Sequence, residues 1–421
     1  MFTTMEQINQ FFNDRKGLGI KPGFGRMINM LEALNNPHKD IKAVHIAGTN
    51  GKGSTLAFMK GALIDQGFRV TSFVSPSFGS VREHIFLQNE PISEERFIHY
   101  INTLYPVVKE LDENEDGPSE FEILVMVAIL FSRDDSTISL FETGMGGSGD
   151  STNVLEPVLS IITMIDLDHT AFLGDTIEAI ASQKAGIIKN RTPIVSGVTQ
   201  VEAKQVVKDY AVRNNAPLYQ WGEAFYISEK DEGYSFMSQD LVLEGIRVSL
   251  PGKHQQKNSS LALMGLSLLK GVNSEEAANS FQKVKYSGRF ETISSKPTVI
   301  IDGAHNLSGT ESLIDTVNQS YPHKKKTLLY TALKDKPLAQ MIPLLEEAFD
   351  EVVFTTFQNM RSSTPEYLAS FSTTADPKIV SNWEKYIDEI WEDLNEDVLV
   401  IAGSLYWLPM VKEYVNRKKN K

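Results

Sequence analysis

The sequence predicts two successive α/β domains, each built on a mainly parallel sheet, with a small antiparallel appendage on the first. Three observations carry this. β-branched runs near 43–47, 69–74, 137–142, 159–165 and 192–196 alternate with amphipathic stretches, as strands do when helices cover both faces of a parallel sheet. A second series at 297–302, 326–331, 351–357 and 398–402 repeats the alternation, with a final helix starting near Ser404. The 421 residues exceed what one core organises, and at roughly 150 residues per domain they point to two or three domains.

Between Trp221 and Leu250 the pattern changes. Phe225-Tyr226-Ile227, Tyr234-Ser235-Phe236-Met237 and Ile246-Arg247-Val248 are short alternating runs broken by Gly233 and Gly245, an antiparallel meander at about 221–250 attached to the first domain. Ser294-Ser295-Lys296-Pro297 supplies turn chemistry, so the first domain is expected to span 1–294 and the second 295–421.

Composition narrows the class. The absence of cysteine excludes a disulfide framework and a thiolate metal site, and suits a reducing cytosol. Met1 to Gln7 lacks a basic start and an apolar core, and the longest apolar run, Ile123 to Phe131, is too short for a bilayer, so a cytoplasmic protein without membrane partners is expected. A net charge of −13 argues against nucleic-acid binding, with Arg417-Lys418-Lys419 a solvated tail. An acidic protein that takes anionic ligands must concentrate its cations locally.

Such a place begins at Ala43. Ala43-Val44-His45-Ile46-Ala47 reads as a buried strand, Gly48-Thr49-Asn50-Gly51 as a turn, and Lys52-Gly53-Ser54-Thr55 as a helix start. Gly48, Gly51 and Gly53 let backbone N–H groups approach phosphate oxygens. The helix adds the positive end of its dipole, Lys52 a point charge, and Ser54 a hydroxyl able to ligate Mg²⁺. The helix continues through Leu56, Met59 and Leu63 and stops at Gly67, the strand–loop–helix frame of a P-loop-type sheet. The spacing is not the ordinary Walker A, since Ile46 stands five residues before Gly51; a plain structural turn is the alternative reading.

Ligands of open α/β sheets lie beyond the carboxyl ends of strands. Glu142-Thr143-Gly144-Met145-Gly146-Gly147 and Asp166-Leu167-Asp168-His169 follow two of the strands. Alone, the Glu could cap a helix and the His could be a hydrogen-bonded loop residue. Beside Ser54, hard oxygen donors suit Mg²⁺, which needs only one or two protein carboxylates with phosphate. On the helix Asp175 to Lys184, Lys184 falls between Ile177 and Ile180 on the apolar arc and faces inward. It either snorkels to the rim or stays desolvated with a lowered pKa, in which case its neutral amine can become a carbamate. Asp302, ending a strand, is compatible with a ribose hydroxyl, and Arg289 with a phosphate contact or a surface salt bridge.

The ordered motifs resemble the folylpolyglutamate synthase family of the Mur ligase superfamily over nearly the whole chain. They are His45 to Ser54; Glu142 to Gly147 with Asp150-Ser151-Thr152-Asn153; Leu167-Asp168-His169-Thr170 with Leu173-Gly174; Lys184-Ala185-Gly186-Ile187-Ile188-Lys189; His254-Gln255 with Asn258; Gly288-Arg289; and Asp302-Gly303-Ala304-His305-Asn306. The resemblance implies a Mur-ligase-like ATP-binding domain followed by a Rossmann-like glutamate-ligase domain. The implied activity is ATP-dependent addition of L-glutamate to the γ-carboxylate of a folate or tetrahydrofolate through an acyl phosphate.

By that resemblance Thr49, Asn50, Gly51, Lys52, Gly53, Ser54, Asn258, Arg289, Asp302 and His305 bind ATP. Ser54, Ser75, Glu142, His169 and Lys184 as a carbamate form the metal shell, with two Mg²⁺ ions expected and a monovalent cation a further candidate. Lys52, Lys184 and His169 are the catalytic set; Arg26, Phe121, Glu122 and Asp150 stand near the folate. Small-molecule substrates, no nucleic acid and a monomer are expected. Members that also make dihydrofolate from dihydropteroate usually carry Ser-Pro-His-Leu where this chain has Ser75-Pro76-Ser77-Phe78, and an arginine at Ser148, so that second activity is an alternative. Leu307 and Gln183 replace a usual proline and glutamate. A small-molecule P-loop kinase shares the phosphate cradle, while a GTPase-like switch lacks the Asn-Lys-x-Asp guanine motif.

Overall fold

A computed structural model describes residues 1–19, 23–230, 233–394 and 397–419. They form two compact units, Met1–Val248 with Gln256–Val284, and Ser249–Gln255 with Lys285–Lys421.

The sheet of the first unit comprises β1 (Ala43–Ala47), β2 (Val70–Phe73), β3 (Ile85–Leu87), β4 (Glu90–Pro91), β5 (Ile138–Glu142), β6 (Leu159–Ile162), β7 (Ile194–Ser196) and β8 (Leu218–Gln220), in the order β4-β3-β2-β5-β1-β6-β7-β8. From β2 to β8 the pairing is parallel, and β3 and β4 close one edge antiparallel. These two edge strands are too short to show a period in the sequence. β1 and β5 are buried at every position, as strands covered on both faces are.

The helix Glu120–Asp135 is buried almost all round, which its lack of a polar stripe requires. A capping box starts it: Glu122 N–H donates to Ser119 Oγ at 3.3 Å, and Ser119 N–H donates to Glu122 Oε2 at 2.7 Å. The expected meander forms β9 (Phe225–Glu229), β10 (Tyr234–Ser238) and β11 (Val242–Ile246), paired antiparallel.

In the second unit β12 (Glu291–Ser295), β13 (Thr298–Asp302), β14 (Lys326–Tyr330), β15 (Glu351–Phe354), β16 (Lys378–Ile379) and β17 (Val398–Ala402) lie in the order β12-β13-β17-β14-β15-β16. All pairs are parallel except β12 with β13. This differs from the boundary read from sequence. Ser295 pairs with Thr298, so Ser295-Lys296-Pro297 is the tip of a hairpin inside the second unit, and the division between units falls after Val284. The last helix runs Leu408–Lys419 rather than from Ser404, because Gly403 at φ 113° and the turn closed by Trp407 N–H on Ser404 O come first. Among the described residues no helix is long and apolar enough to cross a membrane.

Candidate active site

β2, β5, β1 and β6 are parallel neighbours, so the residues beyond their carboxyl ends meet at one edge: Ser75 after β2, Glu142 ending β5, the glycine turn after β1, and Asp166 to His169 after β6. The turn is pinned from β6. Thr49 N–H donates to Met164 O at 2.8 Å, and Thr163 Oγ1 donates to Asn50 O at 2.6 Å. Gly51, at φ +85°, precedes the helix Lys52–Asp65, and a Cβ there would stand 2.4 Å from Asn258 Oδ1. A Cβ on Gly48 would stand 1.9 Å from Thr163 Oγ1. Both positions therefore exclude a side chain.

Lys52 Nζ donates to Gly48 O at 3.0 Å and Thr49 O at 3.2 Å, and stands 3.9 Å from Glu142 Oε1. Its ammonium is thus folded over the turn whose N–H groups a phosphate would meet. Ser54 is buried in the first helical turn. His169 sits at φ 51°, with its N–H on Asp168 Oδ1 at 2.8 Å and Nε2 3.9 Å from Asp168 Oδ2. Among the described residues no three His, Asp or Glu side chains form a ready-made cage. The oxygen donors at the loop, Ser54 and Glu142, instead fit a hard cation shared with phosphate.

Lys184 is inward, as its helical position requires: it is 3% exposed on the helix Ile177–Ala185. Its pKa is pushed down to about 7, chiefly by burial and then by the Lys52 charge, with Asp168 and Asp150 opposing. Those named influences bring Lys52, Asp150, Asp168 and Lys184 into one neighbourhood. The turn after β5 is fitted against this helix. Ser148 N–H donates to Gln183 O at 2.6 Å, Ser148 Oγ lies 2.5 Å from Gln183 Oε1, and a Cβ on Gly147 would stand 2.9 Å from Lys184 O.

The four residues singled out near a folate are drawn into internal contacts. Arg26 Nε donates to Glu122 Oε1 at 3.0 Å and its Nη1 to Asp116 Oδ1 at 2.9 Å, with Arg26 and Glu122 both buried. Asp150 accepts from Met145 N–H at 2.8 Å and Thr152 N–H at 3.0 Å, and burial raises its pKa. Thr152 Oγ1 in turn meets His45 Nε2 at 2.8 Å inside β1, where burial pushes the imidazole down to about 3 and keeps it neutral. Phe121 packs over Gly144, where a Cβ would stand 2.5 Å from its Cζ.

In the second unit Asp302 ends β13, accepting from Phe290 N–H at 2.7 Å and Ala304 N–H at 2.8 Å. Arg289 crosses Gly303, where a Cβ would stand 2.1 Å from its Nη1, and His305 Nδ1 meets Gly303 O at 2.7 Å. Asp302 and His305 therefore share one turn, and the Arg289 side chain packs against it. Sequence reasoning missed the residues next along this edge. Thr331 follows β14, Thr355 follows β15 and Ser404 follows β17; each hydroxyl is buried without a hydrogen-bond partner in the chain, as is Ser363 Oγ, whose N–H bonds Ala332 O at 2.9 Å. The rule that located Glu142 and Asp302 could have found Thr331 and Ser404, which end or follow strands predicted at 326–331 and 398–402, but not Thr355, which falls inside the strand predicted at 351–357.

Comparison with known proteins agrees with this geometry. Residues 46–266 match the Mur ligase middle domain, and residues 288–405 match the glutamate ligase domain of Mur ligases. A curated dihydrofolate synthase/folylpolyglutamate synthase of Bacillus subtilis is 37% identical over 98% of this chain and 99% of its own. The Mycobacterium tuberculosis folylpolyglutamate synthase, solved with ADP and AMPPCP, superposes with a TM-score of 0.90 at 27% identity, covering 98% of each chain. A bifunctional folylpolyglutamate synthase/dihydrofolate synthase solved with Mn, AMPPNP and L-glutamate has a TM-score of 0.88 at 25% identity, again covering 98% of each chain.

Proposed function

The chain belongs to the folylpolyglutamate synthase/dihydrofolate synthase family of Mur ligases, and we propose that it joins the amine of L-glutamate to the γ-carboxylate of a folate, above all a tetrahydrofolate, with ATP cleaved to ADP and phosphate. The observation that carries this reading is Lys184, buried with a pKa of about 7 in the neighbourhood of the phosphate-loop lysine. A kinase, which releases a stable phosphoester, has no use for that residue.

Carboxylates do not condense with amines because hydroxide is a poor leaving group. In the proposed reaction the folate γ-carboxylate oxygen attacks the γ-phosphorus of ATP, and the bond to the ADP oxygen breaks. The glutamate amine then adds to the acyl carbon, loses a proton and expels phosphate. Phosphoryl transfer asks for position and charge neutralisation. Lys52 and the N–H groups of the Gly48–Gly51 turn supply both. Ser54 and Glu142, with Ser75, His169 and Lys184 as a carbamate, would hold Mg²⁺, which neutralises charge on the transferred group. We assign ATP also to Asn258, Arg289, Asp302 and His305.

The unbonded hydroxyls of Thr331, Thr355 and Ser404 are our candidates for glutamate, since each can donate to a carboxylate. The buried Lys336 lies in the loop after Thr331. The test is ATP turnover with each substrate omitted. Phosphate release requiring both a folate and glutamate supports the ligase, and turnover with a folate alone refutes it. A second reading, in which the enzyme also makes dihydrofolate from dihydropteroate, is favoured by the name of the Bacillus subtilis relative.

A further inference from the structure

The helix Lys52–Asp65 that opens at the phosphate turn carries a second cation, Lys60, about 12 Å further along its axis and clear of the turn. Lys60 is half-buried, with Nζ 4.8 Å from the centroid of the Phe86 ring on β3. Phe86 is paired directly with Ser72 on β2, so the two side chains share the face of the sheet over which this lysine reaches. Ser72 is 3% exposed, and among the described residues its Oγ has no hydrogen-bond partner.

These surroundings suit a neutral group better than an ammonium. Burial alone pushes the Lys60 amine down to about 8, and among the described residues no carboxylate pairs with it. The face of the Phe86 ring is the support left to the cation, and a weak one. Exposed lysines of the chain are held differently: Lys109 pairs with Glu113 at 3.6 Å and Lys385 with Glu389 at 3.4 Å. A neutral amine keeps its lone pair and is a nucleophile for an activated carbonyl. An amide formed at this place carries no charge, packs its apolar part on the Phe86 ring, and offers a carbonyl to the unmet Ser72 hydroxyl.

The geometry also selects the reagent. A half-buried amine admits a small acyl group more readily than one attached to a large carrier. The fraction of Lys60 still protonated, having no counter-carboxylate, draws an anionic reagent toward it.

We propose that Lys60 Nζ is a covalent acylation site for small acyl phosphates, in the crevice between the helix Lys52–Asp65 and the Ser72–Phe86 strand pair. The Nζ lone pair adds to the acyl carbon and forms the C–N bond. The bond from that carbon to the phosphate oxygen breaks, phosphate leaves with the electron pair, and the nitrogen gives up a proton to water.

The probe is acetyl phosphate, applied to the full chain at pH 8 in limiting dose, with each modified lysine measured by mass spectrometry of its peptide. At that pH about half of Lys60 is neutral, against about one ordinary lysine in three hundred, and the weaker basicity of the amine takes back about an order of magnitude. Initial acetylation of Lys60 is therefore expected to run about tenfold faster than that of Lys109 or Lys385. Phe86→Glu sets a carboxylate beside the amine and is expected to bring Lys60 down to the rate of Lys109, with thermal unfolding as the check that the fold persists; the wild-type ratio is a test whether or not this variant folds. Lys60→Arg keeps a cation over the ring and forms no amide there. Treatment is expected to lower its unfolding midpoint as much as that of the wild type, because the amide at position 60 is accommodated. Acetyl-CoA, which brings the same acyl group on a bulky thioester, is expected to be slower at Lys60. Acetylation of Lys60 no faster than that of Lys109 and Lys385, an undiminished rate in folded Phe86→Glu, parity of acetyl-CoA with acetyl phosphate, or a midpoint about 2 °C or more lower in treated wild type than treatment produces in Lys60→Arg would each overturn the inference.

Discussion

Replacing Lys184 separates the charge states available to a buried amine. Its pKa of about 7, down from the usual 10.5, comes first from burial and then from Lys52. At pH 8 such an amine is roughly nine-tenths neutral, whereas an ordinary lysine is neutral in about one molecule in three hundred. Only the neutral amine adds carbon dioxide, so burial raises the carbamate-forming fraction by about the same three-hundredfold. Arginine stays protonated and forms no carbamate. We expect Lys184→Ala and Lys184→Arg each to lose two to three decades of kcat, roughly the scale of one charge-stabilising group. Added acetate or formate should restore part of the activity of the Ala variant and none in the Arg variant.

The assay is ADP release in the presence of a tetrahydrofolate and glutamate, with a ¹³C-bicarbonate-derived carbonyl signal as a direct readout. The sign of the stability effect is fixed as well. Because the folded pKa lies below the unfolded one, the unfolded chain binds more protons between about pH 7 and 10.5, and stability rises with pH across that window. Lys184→Met, compared with wild type in carbon-dioxide-free buffer, should lose that rise. Wild-type rates from Lys184→Arg, equal rescue of both variants, or an unchanged pH slope in Lys184→Met would refute the reasoning.

Lys52→Ala should lower turnover by about two to three decades, since it removes the cation folded over the phosphate turn; near-normal rates would show that the turn binds no phosphate. Gly51→Ala forces a Cβ to 2.4 Å from Asn258 Oδ1 at φ +85° and should raise the KM for ATP by about tenfold, with thermal unfolding as the check that the fold persists. Thr331→Val keeps shape but deletes one unbonded hydroxyl, and should raise the glutamate KM by about tenfold while leaving that for ATP unchanged; the reverse pattern would move glutamate elsewhere. Dihydropteroate should be converted about tenfold or more slowly than tetrahydrofolate is glutamylated, because Ser148 presents no cation and its hydroxyl is engaged by Gln183. Comparable rates would show that the replacements at Ser77 and Ser148 are harmless.

The strands were legible wherever the chain is covered on both faces, because burial writes continuous apolar runs: β1, β5, β13 and β17 stand where the sequence places them. The short strands β3, β4 and β16, two or three residues long, leave no such trace. The domain boundary misled because turn chemistry is the same in a linker and in a hairpin tip, and only the Ser295–Thr298 pairing tells them apart. At the site, Lys184 was legible because a charge on an apolar arc breaks a pattern. Thr331, Thr355 and Ser404 were not singled out, since a threonine or serine after a strand breaks none. What marks them is an unmet hydrogen bond, which exists only once the neighbours are in place.

Arg26, Glu122 and Asp150 raise a different question, because polar residues in motifs read as ligand contacts can be holding the scaffold instead. The Arg26–Glu122 pair is buried: removing Arg26 takes the cation from the buried Glu122, and removing Glu122 leaves Arg26 its Asp116 contact, so loss of activity in either single variant would say little about folate. Lys184 escapes this ambiguity. As an ammonium it would stand against Lys52 with burial also opposing the charge; as a neutral amine it offers a triphosphate no charge. We propose that a carbamate turns the position to use: its negative charge would meet the Lys52 charge favourably, against Asp150 and Asp168, and it would add a hard oxygen donor for a cation. The repulsion that depresses the amine and the attraction that would hold the carbamate thus come from the same neighbour. Lys52→Met therefore makes a complementary test: it should raise the pKa of the unmodified Lys184 amine and weaken retention of the ¹³C carbonyl. Unchanged retention would mean that Lys52 has no part in it.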